Sequence, residues 1–418
     1  MKVVIVSTFE ALPVGHGGNH RSYQIKHDLV QMLGSNNVYA ISWLKWHQTR
    51  SRNQNNERFV PMRSRPRRLI SRIAQTGRGL AGIWHHFIKS TSILRWRHNL
   101  SYLFVEHPLD RLIDSGPSTN RFWDPAFAEQ YERLLQEIEE PVICIIEHVG
   151  FSFLLPINER YKVQTIACTH NLESFDIVAP LRYDELRSLY ESAIDLADEL
   201  RILGACQERL FISRVEVGLV GGLGWPSHYY PYLPVGNIKE NLEHIYQARV
   251  EGGVEYGEFL MIGSAAHQST GKSFSWFVRQ ARRNGLPRDI RIVVVGLQTE
   301  KLSDSEIPGM EFRGWVEQDE LDDLLKRATA VLIPQTSGFG ALTRLSELSF
   351  AGIPMIVSEH PNFAVDSPPG ITIVGDDWQS WRKQMSKLAK VITVTSRNDY
   401  ETWAQRQVSP LPKILTHI

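Results

Sequence analysis

Apolar residues follow two spacings along this chain. Short Val- and Ile-rich runs read as strands: KVVIVSTF (2–9), NVYAISWL (37–44), PVICIIEHVG (141–150), VQTIACTH (163–170), FLMIGSA (259–265), IRIVVVGL (290–297), AVLIPQ (330–335), MIVS (355–358) and ITIVGD (371–376). Between them the apolar positions shift to helical spacing. Examples are HRSYQIKHDLVQML (20–33), PAFAEQYERLLQEIEE (125–140), a stretch over roughly 180–204, SFSWFVRQARRNG (273–285) and QDELDDLLKRA (318–328). Strand and helix in alternation predict parallel sheets joined by right-handed crossovers. The rhythm breaks near 225–257, where prolines, tyrosines and glycines gather. The expected organisation is therefore α/β: a first domain over 1–235, a connection over 236–257 and a second domain over 258–390. A terminal helical stretch, 391–418, is placed to pack back on the first domain. Each domain opens with an apolar strand and a glycine turn, so two parallel sheets should face a cleft. In such sheets ligands bind beyond the strand C-termini.

A chain of 418 residues has room for two or three domains. Its 42% hydrophobic and 22% charged residues suit a soluble globular protein. Cys144, Cys168 and Cys206 lie far apart in apolar surroundings, forming neither a disulfide framework nor a metal cluster. A reducing, cytoplasmic compartment is expected. The opening MKVVIVSTF is short and followed by Glu10 and Pro13, which fits a strand better than a signal segment. No stretch reaches the roughly 18 apolar residues of a membrane span.

Charge changes the picture in one place. Residues 45–98 hold thirteen Lys or Arg against Glu57 alone, although the whole chain is neutral. Arg63, Arg65, Arg67 and Arg68 are interleaved there with apolar residues and Trp84. Such a mixture suits an anionic membrane surface or acceptor, giving a peripheral association with the inner face of the membrane. A solvated insertion is the plain alternative, and nucleic acid is the least favoured partner.

The candidate chemistry collects at strand ends. In TSGFGALTRLSELSFAGIP (336–354), a helix would turn Ala341, Leu342, Leu345, Leu348 and Ser349 inward, leaving Arg344 and Glu347 on another side. Gly352 and Pro354 close it. Gly338 and Gly340 at its start, with Arg344, would suit a phosphate, and Glu347 a ribose diol. A solvated i,i+3 ion pair explains Arg344 and Glu347 locally just as well. STGKS (269–273) imitates a P-loop, but seven residues separate Gly263 from Gly271 where four are needed. Lys272 still begins a helix after a strand and is placed to reach a phosphate. His170, with Asn171 and Glu173 beside it, follows VQTIAC and stands where a sugar hydroxyl or developing charge could be met. Glu147-His148 repeats that arrangement one strand earlier. Gly15, Gly17 and Gly18 end the first strand, as a close ligand approach or as a tight turn. No HExxH or CxxC spacing offers a metal site.

The order of these pieces resembles the GT-B glycosyltransferases, most closely the family 4 retaining enzymes that use nucleotide-sugars. STFEALPVGHGGNHRSY looks like their N-terminal glycine loop, CTHNLESF like the stretch bearing a donor-sugar histidine, and FLMIGSAAHQSTGKS like the phosphate-lysine stretch. FRGWVEQDEL is similar to the stretch flanking the base, and PQTSGFGALTRLSELSFAGIP is the most specific match. The resemblance implies two Rossmann-like domains facing across a cleft. It places Glu347 on the ribose, Arg344 and Lys272 on the diphosphate, and Gly338, Gly340 and Thr343 in close approach. His170, with Glu173, would serve the transferred sugar, and Gly17 and Gly18 the phosphate and acceptor. Two positions depart from the pattern: Phe339 stands where a glutamate is usual, and Ser264 where many members have arginine.

The expected activity is transfer of a hexose-type sugar from a UDP- or GDP-sugar to a glycan or lipid-linked acceptor, with retention and without a bound metal or cofactor. A nucleotide-sugar epimerase of the same architecture is the alternative enzyme. From another class, a scaffold of a glycan-assembly complex with a degenerate donor site would suit Phe339.

Overall fold

The computed structural model describes residues 1–8, 10–15, 17–45, 57–62, 122–138, 140–174, 196–302, 307–335 and 340–417. Arg63, Arg65, Arg67, Arg68 and Trp84 of the basic stretch fall outside these residues, as do Gly338 and Phe339.

The chain up to residue 229 supplies β1 (Lys2–Ser7), β2 (Val38–Lys45), β3 (Glu57–Met62), β4 (Val142–Ile146), β5 (Gln164–Thr169), β6 (Glu208–Phe211) and β7 (Ser227–Tyr229). They form one parallel sheet in the order β3-β2-β1-β4-β5-β6-β7. The second half supplies β8 (Glu258–Ile262), β9 (Arg291–Val295), β10 (Met310–Gly314), β11 (Ala330–Ile333), β12 (Met355–Ser358) and β13 (Ile371–Val374), in the order β10-β9-β8-β11-β12-β13. Both orders reverse direction once, between β1 and β4 and between β8 and β11. Those two switch points are where a doubly wound sheet opens a crevice at its carboxyl edge.

The strands are continuous apolar runs because both faces of each sheet are covered. In β1, Val4 and Val6 join the core containing Phe127 and Tyr131, while Val3 and Ile5 join the one containing Ile25 and Leu29. In β12, Met355 and Val357 face one way and Ile356 the other. The period-2 alternation of strand side chains is thus present, but it sorts apolar residues between two cores.

The helices that matter for the site are α1 (Gly17–Leu33), α2 (Pro125–Glu137), α3 (Leu155–Arg160), α4 (Arg214–Gly221), α5 (Gly236–Ala248), α6 (Gln268–Asn284), α7 (Gln318–Arg327) and α8 (Thr343–Phe350). After them come α9 (Trp378–Leu388), α10 (Arg397–Gln405) and α11 (Leu411–His417). Two elements differ from the sequence expectation. Within the basic stretch, β3 pairs parallel with β2 at the sheet edge, the place where a residue without an N–H such as Pro61 is tolerated. Most of the stretch expected as a connection is helical. Ile238, Leu242 and Ile245 of α5 enter the core of the second sheet, their spacing hidden from view by Pro231 and Pro234 just upstream. Leu411, Ile414 and Leu415 of α11 lie in a core of the first sheet, beside Ile25 and Leu29. Gly352, with φ 72°, ends α8 in the left-handed region as its position suggested. No helix among the described residues is long and apolar enough to cross a membrane.

Candidate functional site

The two switch points face each other, and two helix starts meet between them. A Cβ on Gly17 would stand 2.6 Å from Thr343 Oγ1, so the first residue of α1 abuts the first residue of α8 because it has no side chain. Gly340 lies against Asn171 in the same way, its would-be Cβ 3.4 Å from the Asn171 Cβ. Among the described residues, Leu342 at the start of α8 makes no side-chain cap to its first N–H groups.

Arg344 reaches from α8 to the end of β8. Its guanidinium donates to the Ile262 carbonyl and, at 3.5 Å, to Gln335 Oε1. Gly263 makes the place for it: a Cβ there would come within 3.0 Å of Nη1. Burial pushes the Arg344 pKa down to about 10, against the pull of Glu347, so the group remains a cation at neutral pH. Lys272 lies on the second turn of α6 after β8, with an exposed side chain.

Glu347 does not form the simple ion pair with Arg344 that the i,i+3 spacing allowed. Its Oε1 meets His20 Nδ1 at 2.7 Å and accepts from Tyr232 Oη at 2.7 Å, one in α1 and the other just after β7. Both of these hydrogen bonds fall on Oε1, and Oε2 takes none among the described residues. Burial pulls the His20 pKa down, but the charge and hydrogen bond of Glu347 outweigh it and the net shift is upward. For Glu347, burial pushes up, yet His20, the Tyr232 hydroxyl and Arg344 together hold the carboxyl below its ordinary value.

Across the cleft, the ends of β4 and β5 exchange partners. His170 Nε2 lies 3.1 Å from Glu147 Oε2, and His148 Nε2 lies 3.2 Å from Glu173 Oε1. Glu147 is buried and also accepts from the Ser22 hydroxyl of α1. Two further buried carboxylates grip the backbone after His170. Glu216 accepts from the Leu172 N–H at 2.8 Å, and Glu199 from the N–H groups of Glu173 and Ser174 at 2.9 and 3.0 Å. Burial pushes Glu199 up to about 7, against the hydrogen bonds that it accepts from the Ser174 hydroxyl and the two N–H groups, which act to lower it.

Of the sequence candidates, Gly17, Gly18, Gly340, Thr343, Arg344 and Glu347 line one face-to-face junction, with His170 and Glu173 joined to it through Asn171. Lys272 sits at the neighbouring strand end. Gly338 and the basic residues lie outside the described residues. Sequence reasoning missed His20, Tyr232, Gln335, Ser22, Glu199 and Glu216. Only Glu147 carried a signal, in the EH that ends β4 as TH ends β5. Among the described residues, no group of three or more His, Cys, Asp or Glu side chains is placed to hold a metal ion.

No protein-family model matches the chain, and no curated protein matches it. Solved structures do. A sucrose-phosphate synthase from Thermosynechococcus elongatus superposes with a TM-score of 0.62 at 11% identity, covering 100% of this chain and 97% of that one. HepE of Anabaena, solved in complex with UDP, gives a TM-score of 0.56 at 9% identity with 100% of both chains covered. A UDP-forming α,α-trehalose-phosphate synthase from Burkholderia vietnamiensis gives 0.55 at 11%, covering 97% of this chain and 96% of the other. At such identities the likeness shows the fold, which is GT-B: two Rossmann-like domains facing across a cleft.

Proposed function

We propose that this chain is a glycosyltransferase that takes a sugar from a nucleoside diphosphate sugar. The observation that carries the reading is the separation of Arg344 and Glu347. Each is held by its own partners at the switch point of the second sheet, opposite a histidine loop clamped by buried carboxylates. In this reading Arg344, Lys272 and the start of α8 neutralise the leaving diphosphate. Glu347 Oε2 accepts from the ribose hydroxyls, and His170 meets the transferred sugar. Gly17 and Gly18 leave room for the phosphate and acceptor. The similar structures solved with UDP and UDP-glucose favour a UDP-sugar donor, and glucose-6-phosphate in a trehalose-phosphate synthase favours a sugar acceptor. A hexose, retention of configuration and a glycan or lipid-linked acceptor are the finer assignments, resting on the family 4 resemblance. The basic stretch 45–98 is assigned to an anionic membrane surface, which salt-sensitive sedimentation with anionic vesicles tests.

Calorimetry with UDP, GDP and UDP-glucose on the intact chain decides the main claim. The expected result is saturable binding of one nucleotide, with UDP release that depends on an added sugar acceptor. Release of UDP with no acceptor present would favour the epimerase. Absence of binding by any of the nucleotides would overturn the enzyme reading in favour of the scaffold.

A further inference from the structure

Tyr232 is 4% exposed and stands just after β7, where the chain crosses from the first sheet to α5. Its hydroxyl donates to Glu347 Oε1 at 2.7 Å, and the proposed chemistry assigns it nothing. The backbone before it is fixed to one face of α1. Arg21, 1% exposed, donates to the Tyr230 carbonyl at 2.7 Å and to the Pro231 carbonyl at 3.2 Å. Gln24 Nε2 donates to the same Pro231 carbonyl at 3.0 Å, and the Tyr230 hydroxyl donates to Asp28 Oδ2 at 2.5 Å. Arg21, Gln24 and Asp28 follow helical spacing and so share a side of α1. The Arg21 guanidinium also lies over the Tyr230 ring, 4.1 Å from its centre. The second partner of Glu347, His20, is the residue before Arg21 on the same helix. Helix α1 and the 230–232 segment therefore act as one body that brings both donors to a carboxylate of the other domain.

Burial and the nearby Glu347 charge push the Tyr232 hydroxyl well above its ordinary pKa, so it remains a donor at neutral pH. A glutamate on the surface of a helix samples several rotamers, and fixing them costs entropy when a ligand binds. Here that ordering is in place beforehand: both hydrogen bonds fall on Oε1, which sets the direction of Oε2. Among the described residues, no hydrogen bond from the second domain holds the carboxylate. We propose that Tyr232 is a positioning residue that sets Glu347 for the ribose of a nucleotide from across the domain junction, making selection for ribose conditional on the shut cleft. The ribose itself rests on the transferase reading, but the bracket around Glu347 does not. Parting the domains withdraws Tyr232 and His20 together and releases the carboxylate. A nucleotide without ribose hydroxyls gains nothing from the bracket.

The test uses the full chain and compares, by calorimetry, UDP and GDP each with its 2′,3′-dideoxy form. Wild type is expected to bind one ribonucleotide about 10- to 100-fold more tightly than its dideoxy form. Tyr232→Phe keeps the ring and removes the donor. It is expected to shrink that ratio about 3- to 10-fold by weakening the ribonucleotide, with affinity for the dideoxy form unchanged. Small-angle scattering on wild type needs no variant and decides alone should Tyr232→Phe not fold. At saturation the ribonucleotide is expected to give a smaller radius of gyration than its dideoxy form, because closure and ribose binding favour each other equally. A ratio unchanged in Tyr232→Phe would overturn the proposal while the nucleotide site stands, as would equal wild-type radii with both ligands. Absence of binding by either ribonucleotide would overturn the transferase reading and the proposal with it.

Discussion

An Arg344→Ala variant should bind UDP at least about 100-fold more weakly than wild type while melting at the same temperature or slightly higher. Charge-assisted hydrogen bonds to a phosphate contribute about 1.5–3 kcal/mol each, and a guanidinium offers two in parallel, so the binding loss should be large. Stability moves differently. Removing Arg344 takes the donor from the Ile262 carbonyl and from Gln335, which costs about 1–3 kcal/mol if water does not replace it. It also removes a cation whose burial holds its pKa at about 10, a cost to the charged form of about 3 kcal/mol. The two effects offset each other. Lysine at 344 should recover part of the affinity, since it keeps the charge but loses the fork. Calorimetry and thermal melting on the same samples give both readings. Binding lost together with a steep fall in melting temperature would make Arg344 a structural residue only.

Glu347→Gln should weaken nucleotide binding about 10- to 100-fold and should also remove a pH dependence from cleft closure. The His20 pKa is raised above its ordinary 6.5, so its share of the contact with Glu347 is complete below 6.5 and fades as pH rises through the raised value. The Glu347 pKa is depressed below 4.5, so its share is complete above 4.5 and is lost as pH falls through the depressed value. Closure of the unliganded protein should accordingly be tightest between pH 4.5 and 6.5. Small-angle scattering across pH 4–9 checks it: the radius of gyration should pass through a minimum in that window for wild type. His20→Ala and Glu347→Gln should both flatten the curve. A wild-type curve as flat as the variants' would refute the linkage.

Much of this architecture is legible in the residues themselves. Strands such as KVVIVS and MIVS announce themselves because both faces are buried, so nothing polar interrupts them. Arg344, Glu347 and His170 stand out as polar groups just after such runs. What stays hidden is whatever depends on a distant partner. Tyr232 lies 115 positions from Glu347, and His20 lies 327 away; neither sits in a local pattern that predicts the meeting. Glu199 and Glu216 look like solvated helix glutamates, and only the fold shows that both turn inward onto the backbone N–H groups after His170. The helix α5 was obscured for a different reason, since the residues that shape its approach resemble a linker more strongly than its own spacing resembles a helix.

The contact of Gly17 with Thr343 sets two like-charged ends against each other, because α1 and α8 both begin there. Each helix start carries about half a positive charge, so shutting the empty cleft does work against repulsion. An anion lodged between them reverses the sign of that work. By reciprocity, the factor by which a diphosphate favours the shut form equals the factor by which shutting tightens its grip on the diphosphate. In the proposed reading, occupancy and closure then form a single equilibrium, and loss of the anion restores the repulsion that opposes the shut form.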